Sequence, residues 1–138
     1  NAFVDCIGYR SHSTSGPHHR YAIGNLYDNV KSRSYMESRF RGNSGTGHGW
    51  AGAQTCFYNC IAPGFKVGAP TGALSWVLGS GKQYSQAVRL NPPSLYYRQL
   101  HDRLGEAAVN RLTTPEWIEG LGKYPWVAQR LKGEAVQP

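Results

Sequence analysis

The densest group of chemically active side chains lies in the run Pro17-His18-His19-Arg20-Tyr21, and His48 and Trp50 follow in a similar setting between glycines. Elimination of an acidic polysaccharide needs a cation opposite the uronate carboxylate, a base for the C5 proton and an acid for the leaving oxygen. Arg20, one of the three histidines and Tyr21 could fill these roles in that order. The candidate catalytic residues are therefore His18, His19, Arg20, Tyr21 and His48.

A purely structural interpretation of the same residues stays open. Histidines next to glycine corners often hydrogen-bond to backbone carbonyls, and Tyr21, Trp50 and Trp76 could equally be packing residues. Glycoside hydrolysis is less favoured, because it needs two suitably spaced carboxyl groups and the first ninety residues contain only Asp5, Asp28 and Glu37. A carboxylate pair or a calcium site at Asp5 and Asp28 is the one metal-binding alternative; no other cofactor is expected.

A second candidate surface combines cations and aromatic rings between residues 31 and 41. Such a surface could stack against sugars and bind carboxylates or sulfates by charge. The alternatives are a solvated face and a groove for single-stranded nucleic acid, but no nucleic-acid module matches, so nucleic acid is not expected as a partner. The candidate substrate-binding residues, from this surface and from the histidine region, are Arg33, Tyr35, Arg39, Arg41 and Trp50.

Charge is unevenly distributed along the 138 residues. Residues 1–90 hold nine Lys and Arg against three acidic residues, whereas residues 91–138 hold six against five. A basic surface attracts anions such as acidic polysaccharide, although it also serves solubility alone. The composition, with 40% apolar and 12% aromatic residues, indicates a folded chain, and no apolar run is long enough to cross a bilayer.

The elements that must position these residues are short strands in a repeat. Three segments begin and end with large apolar residues and carry Asp or Asn in the middle: 3–7, 26–30 and 57–61. This spacing predicts parallel strands with two interior columns, Phe3, Leu26 and Phe57 in one and Ile7, Val30 and Ile61 in the other. A further column of small or amide side chains is predicted from Cys6, Asn29 and Cys60. Repeats of 23 to 31 residues with glycine corners are typical of a parallel β-solenoid, whereas an antiparallel β-sandwich would space its strands more closely.

A second recurring pattern is a glycine followed by an aromatic-containing strand. It occurs at Gly16, Gly47 and Gly72, and the third copy leads into Trp76. In this register His19 and His48 stack on neighbouring repeats. The repeat is therefore predicted to gather the histidines that are distant in sequence.

The pattern changes at residue 91, which predicts two parts, 1–90 and 91–138. Ser94 is suited to cap a helix that Gly105 ends, and further helix starts are predicted at Thr114 and Pro125. We expect these short helices to cover the end of the strand repeat.

The cysteines and the first strand give two further expectations. The distance along and between strands keeps Cys6, Cys56 and Cys60 apart, so they are expected to be reduced and mostly buried. The chain starts directly with an apolar strand, so we expect an upstream segment or a partner chain to stack on residues 2–8.

The runs Ser15–Ala22 and Gly45–Ala53, together with the segment Pro93–Gly105, resemble the C-terminal part of secreted right-handed parallel β-helix proteins of the pectin-lyase-like type. The resemblance spans residues 3 to 105 and implies an all-β fold, with β-helix coils followed by short helices. It implies a secreted or extracellular protein that engages acidic polysaccharide, either as a lyase acting by β-elimination or as a noncatalytic carbohydrate-binding or structural subunit.

Overall fold

The computed structural model describes residues 1–8, 10–82 and 90–112. The chain divides into two compact units, Asn1–Leu90 and Asn91–Pro138. Within the described parts, none of the helices has the length and apolar character needed to span a membrane.

The described part of the first unit is built from short strands and one four-residue helical turn, α1 (Ser44–Gly47). The strands are β1 (Ala2–Val4), β2 (Ile7–Gly8), β3 (Ala22–Ile23), β4 (Leu26–Asp28), β5 (Lys31–Ser32), β6 (Met36–Ser38), β7 (Gly52–Ala53), β8 (Cys56–Tyr58), β9 (Phe65–Val67) and β10 (Trp76–Leu78).

All pairings between these strands are parallel, as the repeat predicts. The largest sheet has the order β1-β4-β8-β10, and three further sheets contain two strands each: β2-β5, β3-β7 and β6-β9. Each strand is two or three residues long, so the hydrogen bonding is divided among four small sheets. Every described strand pair joins segments at least twenty residues apart in sequence.

The predicted fold class, an all-β right-handed parallel β-helix, is wrong. The described residues form a small mixed structure in which short strands make separate parallel sheets and helices account for much of 95–112. The physical reason is that turns interrupt every strand after two or three residues, so local strand pairing does not extend into the long continuous sheets of that fold class.

The predicted interior column that begins with Phe3 is wrong by one residue in its middle member. Phe3 pairs with Tyr27, and Tyr27 with Phe57, whereas Leu26 lies opposite Ala2 and Cys56. The three rings form a continuous stack with centroids 4.8 Å apart at both steps. Stacking at this spacing follows from the distance between parallel neighbouring strands.

A left-handed backbone position fixes this register. Asp5, Asn29, Asn59 and Gly79 have φ angles of 52°, 59°, 52° and 59°, and the N–H groups of the first three bond to the carbonyls of Asp28, Tyr58 and Leu78. Asp, Asn and Gly adopt this conformation at the lowest cost. Asn29 therefore aligns with Asp5 and Asn59, and not with Cys6 and Cys60 as predicted.

The core of the first unit is small and surrounds the ring of Phe57, which is fully buried. Burial raises the pKa of Tyr27 to about 12 and that of Cys60 to about 12. The buried members are Tyr27, Val30, Met36, Phe57, Cys60 and Ala62, with Phe65 and Val67 packed against them.

All three cysteines are free thiols, but their predicted burial holds only for Cys60. Cys6 is exposed and Cys56 is half-buried. Cys6 follows the left-handed residue Asp5 in the outermost described strand segment, so no further strand covers it.

In the second unit, α2 (Leu95–Leu104) begins and ends where the sequence predicts. Ser94 is the N-cap, and its hydroxyl accepts the Tyr97 N–H at 3.2 Å, while Gly105 is the C-cap with φ 78°. A further helix, α3 (Glu106–Leu112), follows at once and was not predicted. The helix starts predicted at Thr114 and Pro125 lie outside the described residues.

Candidate functional site: a histidine-arginine cluster

Two segments of the first unit carry the predicted histidines. His18 and His19 precede β3, and His48 precedes β7, so the β3-β7 pair brings them side by side. The Tyr21 N–H bonds to the Trp50 carbonyl at 3.1 Å, and the pairing continues along both segments.

The loop that contains His48 is closed by its own backbone. Phe40 and Trp50 form an antiparallel bridge, and the Arg41 N–H bonds to the Gly49 carbonyl at 2.7 Å. The loop between them turns through α1, where the His48 N–H bonds to the Ser44 carbonyl at 3.1 Å. This closure places Arg41 beside His48, although the two residues are seven positions apart in the sequence.

The three histidine rings are in mutual contact. The ring centroids of His18 and His48 are 4.8 Å apart, those of His19 and His48 4.9 Å, and those of His18 and His19 5.3 Å. The predicted approach of His19 to His48 is therefore present, and His18 lies equally close. The structure brings all three candidate histidines into one group.

Two arginines join this group. Arg41 Nη1 donates to His18 Nδ1 at 2.7 Å and to the His18 carbonyl at 2.9 Å. Arg20 Nη2 bonds to the carbonyl and the hydroxyl of Thr46, at 3.2 and 3.0 Å, and so ties the first segment to the loop. We call His18, His19, His48, Arg20 and Arg41 the histidine-arginine cluster.

His48 is the most enclosed ring of the cluster. Its Nδ1 is buried and has no hydrogen-bond partner among the residues that the structure describes, and the same is true of Nε of Arg41. Burial, with the nearby charge of Arg41, lowers the pKa of His48. A neutral ring that cannot reach solvent through Nδ1 is better suited to shape the cluster than to exchange protons with a substrate.

The His48 ring also lies against Gly45. Gly45 has φ 58° and ψ −121°, a conformation that only glycine adopts readily, and a Cβ there would overlap Nε2 of His48. This glycine is therefore needed both for the turn and for the ring.

The backbone next to the cluster is strained. Arg20 and Tyr21 have φ angles of 59° and 64°, two consecutive residues other than glycine in the left-handed region. Such strain costs of order 1–3 kcal/mol per residue and is concentrated at functional sites in proteins. Tyr21 itself is 51% exposed, so no burial of its ring explains the conformation.

The residues of the second predicted surface lie in different surroundings from one another. Arg41 belongs to the cluster, whereas Arg39 bonds through Nε to Glu37 at 3.0 Å. Lys66 lies over the ring of Tyr35 at 4.9 Å. Arg33 is exposed after β5, where its N–H bonds to the Gly8 carbonyl.

Trp50 is half-buried and packs against neighbouring residues. Its ring is 5.4 Å from that of Phe40, and it covers Gly68, where a Cβ would lie 3.4 Å from the indole. These contacts favour the packing interpretation of Trp50 over stacking against a sugar.

The acidic residues of the first unit are all buried. Asp5, Asp28 and Glu37 are 7%, 0% and 3% exposed. Burial raises the pKa of Glu37, but hydrogen bonds from Arg39 and Thr14 outweigh it and hold that pKa below its usual value. The charged surface of this unit's described residues is consequently almost entirely positive.

Sequence reasoning missed the place of Arg41 in the cluster. It assigned Arg41 to a separate cationic surface because only neighbours in the repeat were compared. The signal was present in the four glycines between Phe40 and Trp50, which indicate a tight loop that returns on itself.

No set of three or more His, Cys, Asp or Glu side chains among the described residues is arranged to hold a metal ion. The histidines are accompanied by two guanidinium groups, which favour anions. Asp5 and Asp28, the predicted carboxylate pair or calcium site, lie one residue apart in register, since Asp28 pairs with Val4.

Comparisons with known proteins identify no relative. No family model, curated protein or solved structure matches this chain.

Proposed function

We propose that the first unit binds an acidic polysaccharide noncatalytically, with the histidine-arginine cluster at the contact. The observation that carries the proposal is that this unit buries all three of its acidic side chains while Arg20, Arg41 and three imidazoles gather on one part of it. No ion pair with a carboxylate forms at Arg20 or Arg41 within the described residues. Uronate or sulfate groups would supply the missing anions.

Unpaired polar atoms inside the cluster support this proposal. Nε of Arg41 and Nδ1 of His48 are buried and have no hydrogen-bond partner among the described residues, and leaving a buried polar atom unpaired costs about 1–3 kcal/mol. An anion that displaced the neighbouring side chains would give Arg41 Nε–H an acceptor. We also propose an extracellular location, because that is where a protein would meet such polymers.

The test is binding to polygalacturonate and to dextran sulfate at low salt, where charge attraction is strongest. Arg20→Gln and Arg41→Gln should each weaken binding about tenfold, the effect of losing one charge-assisted hydrogen bond. Arg10→Gln is the matched control, because Arg10 is exposed and the substitution changes net charge equally. It should weaken binding about twofold or less, the effect of a distant exposed charge.

Two outcomes would contradict the proposal. One is the absence of binding to both polymers at low salt; the other is an equal loss in all three variants, which would show a diffuse charge effect. Tighter binding to single-stranded DNA than to either polymer would move the assignment from polysaccharide to nucleic acid.

A polysaccharide lyase is the second candidate, favoured by the strained backbone at Arg20 and Tyr21. In that reaction a histidine would remove the C5 proton, Arg20 would neutralise the carboxylate, and Tyr21 would protonate the leaving oxygen. Turnover of polygalacturonate would produce an unsaturated product that absorbs in the ultraviolet, and His19→Ala should abolish it. Binding without this product supports the noncatalytic module.

A further inference from the structure

The hydrogen bond between Arg41 and His18 determines where the His18 ring carries its proton. A guanidinium only donates hydrogen bonds, so His18 Nδ1 must accept in the 2.7 Å contact with Arg41 Nη1. An imidazole that accepts at Nδ1 is uncharged and carries its hydrogen on Nε2. A proton on Nδ1 and the bond to Arg41 therefore exclude each other.

The surroundings of His18 make this exclusion consequential. His19, His48 and Arg41 face it. Arg20 is close enough to His48 for its positive charge to act on that ring. Glu37 is close enough to Arg41 for the two charges to interact, but its carboxylate is bound to Arg39 and Thr14. The cluster therefore contains cations and imidazoles, and the carboxylate that interacts with Arg41 is bound to other residues.

We propose that His18 is a proton-operated latch on Arg41 that regulates polyanion binding. When His18 is neutral, its Nδ1 holds Arg41 Nη1. When His18 takes up a proton from solvent at Nδ1, this bond breaks and the cluster gains a positive charge. The N–H of Nη1 that made the bond becomes available to an anion, while the other N–H keeps the His18 carbonyl. Affinity for the acidic polymer therefore rises as the pH falls. This inference rests on the proposed polyanion binding and adds its regulation.

The binding test uses dextran sulfate, whose sulfate groups stay ionised between pH 5 and pH 8. The wild-type protein should bind about tenfold more tightly at pH 5 than at pH 8, the effect of one additional charge-assisted hydrogen bond. His18→Asn should lose most of this rise, because the asparagine Oδ1 lies where Nδ1 does and can accept from Arg41 but cannot take up a proton. His12→Gln removes an exposed histidine outside the cluster and should keep the full rise.

A second measurement does not depend on the polymer. Nitrogen chemical shifts of the His18 ring at pH 8 should show hydrogen on Nε2, and Arg41→Gln should reduce this preference. Hydrogen on Nδ1 at pH 8 would overturn the latch, as would a full pH-dependent rise in His18→Asn. If neither pH gives binding while the ring carries its hydrogen on Nε2, the proposed function fails and the latch has nothing to regulate, so the two failures are distinguishable.

Discussion

Asn59 offers a direct test of how a left-handed residue and a side-chain clamp share the stabilisation of the first unit. Its φ is 52°, and its side chain is buried. Asn59 Oδ1 accepts the Leu90 N–H at 2.8 Å, and Nδ2 donates to the Leu90 carbonyl at 3.0 Å. The side chain thus pairs with both backbone polar groups of Leu90.

Two substitutions separate these contributions. Asn59→Gly keeps the backbone conformation free of strain but loses both hydrogen bonds, which should lower the free energy of unfolding by about 2 kcal/mol, at roughly 1 kcal/mol per bond. Asn59→Ala loses the same bonds and keeps a Cβ in the left-handed region without the short polar side chain that lets asparagine adopt it. Asn59→Ala should therefore lower the free energy of unfolding by about 1–2 kcal/mol more than Asn59→Gly does.

The assay is equilibrium urea unfolding of the wild-type protein and both variants. The dependence of the free energy of unfolding on urea concentration should be the same in all three, so that the midpoints report stability. If Asn59→Ala is no less stable than Asn59→Gly, the expected cost of the left-handed conformation for alanine is refuted. A loss below about 0.5 kcal/mol for Asn59→Gly would show that the clamp on Leu90 contributes less than one ordinary hydrogen bond.

Three further substitutions probe the same unit. Gln54 is exposed with φ 51°, so Gln54→Gly should raise the free energy of unfolding by about 1 kcal/mol in urea titration, and a loss would argue against strain there. Burial raises the pKa of Glu37, but hydrogen bonds from Arg39 and Thr14 outweigh it and lower that pKa in the folded protein. Its contribution should be present above about pH 4.3 and be lost as the pH falls further. Glu37→Gln should reduce this acid-dependent loss in thermal unfolding between pH 5 and pH 3; an unchanged profile would contradict it. Gly45→Ala should displace His48, alter the histidine ring NMR signals and weaken dextran sulfate binding. Gly47→Ala carries a similar backbone strain, at φ 79°, but has open space around its Cβ position, so it should alter those signals less.

The parallel pairing of the strands could be read from the sequence, but the register in the middle segment could not. Leu26 and Tyr27 are both large and apolar, and Asp28 and Asn29 are both residue types that suit the central position. Two alignments one residue apart therefore fit the pattern equally well. Only the backbone distinguishes them, because Asn29 is left-handed while Asp28 continues the strand.

The length of the paired strands could not be predicted from the sequence for another reason. Residue periodicity identifies which segments pair, but the number of residues that pair depends on where turns interrupt them. The solenoid prediction took each segment as five residues long, whereas β1, β4 and β8 have three. The predicted β-helix followed from that overestimate.

The approach of His19 to His48 was predictable because each histidine follows a glycine in one of two similar segments. Arg41 was not, since it reaches the cluster through a loop that closes between Phe40 and Trp50. Sequence comparison between repeats detects partners in neighbouring strands and is insensitive to a residue that arrives from the base of a loop. The same limit applies to α3, which starts without a separate capping residue after Gly105.

The burial of all three acidic side chains in the first unit has a consequence for the entropy of binding. With no exposed carboxylate to balance its surface arginines and lysines, the unit must draw small dissolved anions to itself. A polymer carries many negative charges on a single chain, so its arrival returns these small anions to the solution. The gain in their translational freedom would favour association before any specific hydrogen bond has formed, and adding salt would diminish it.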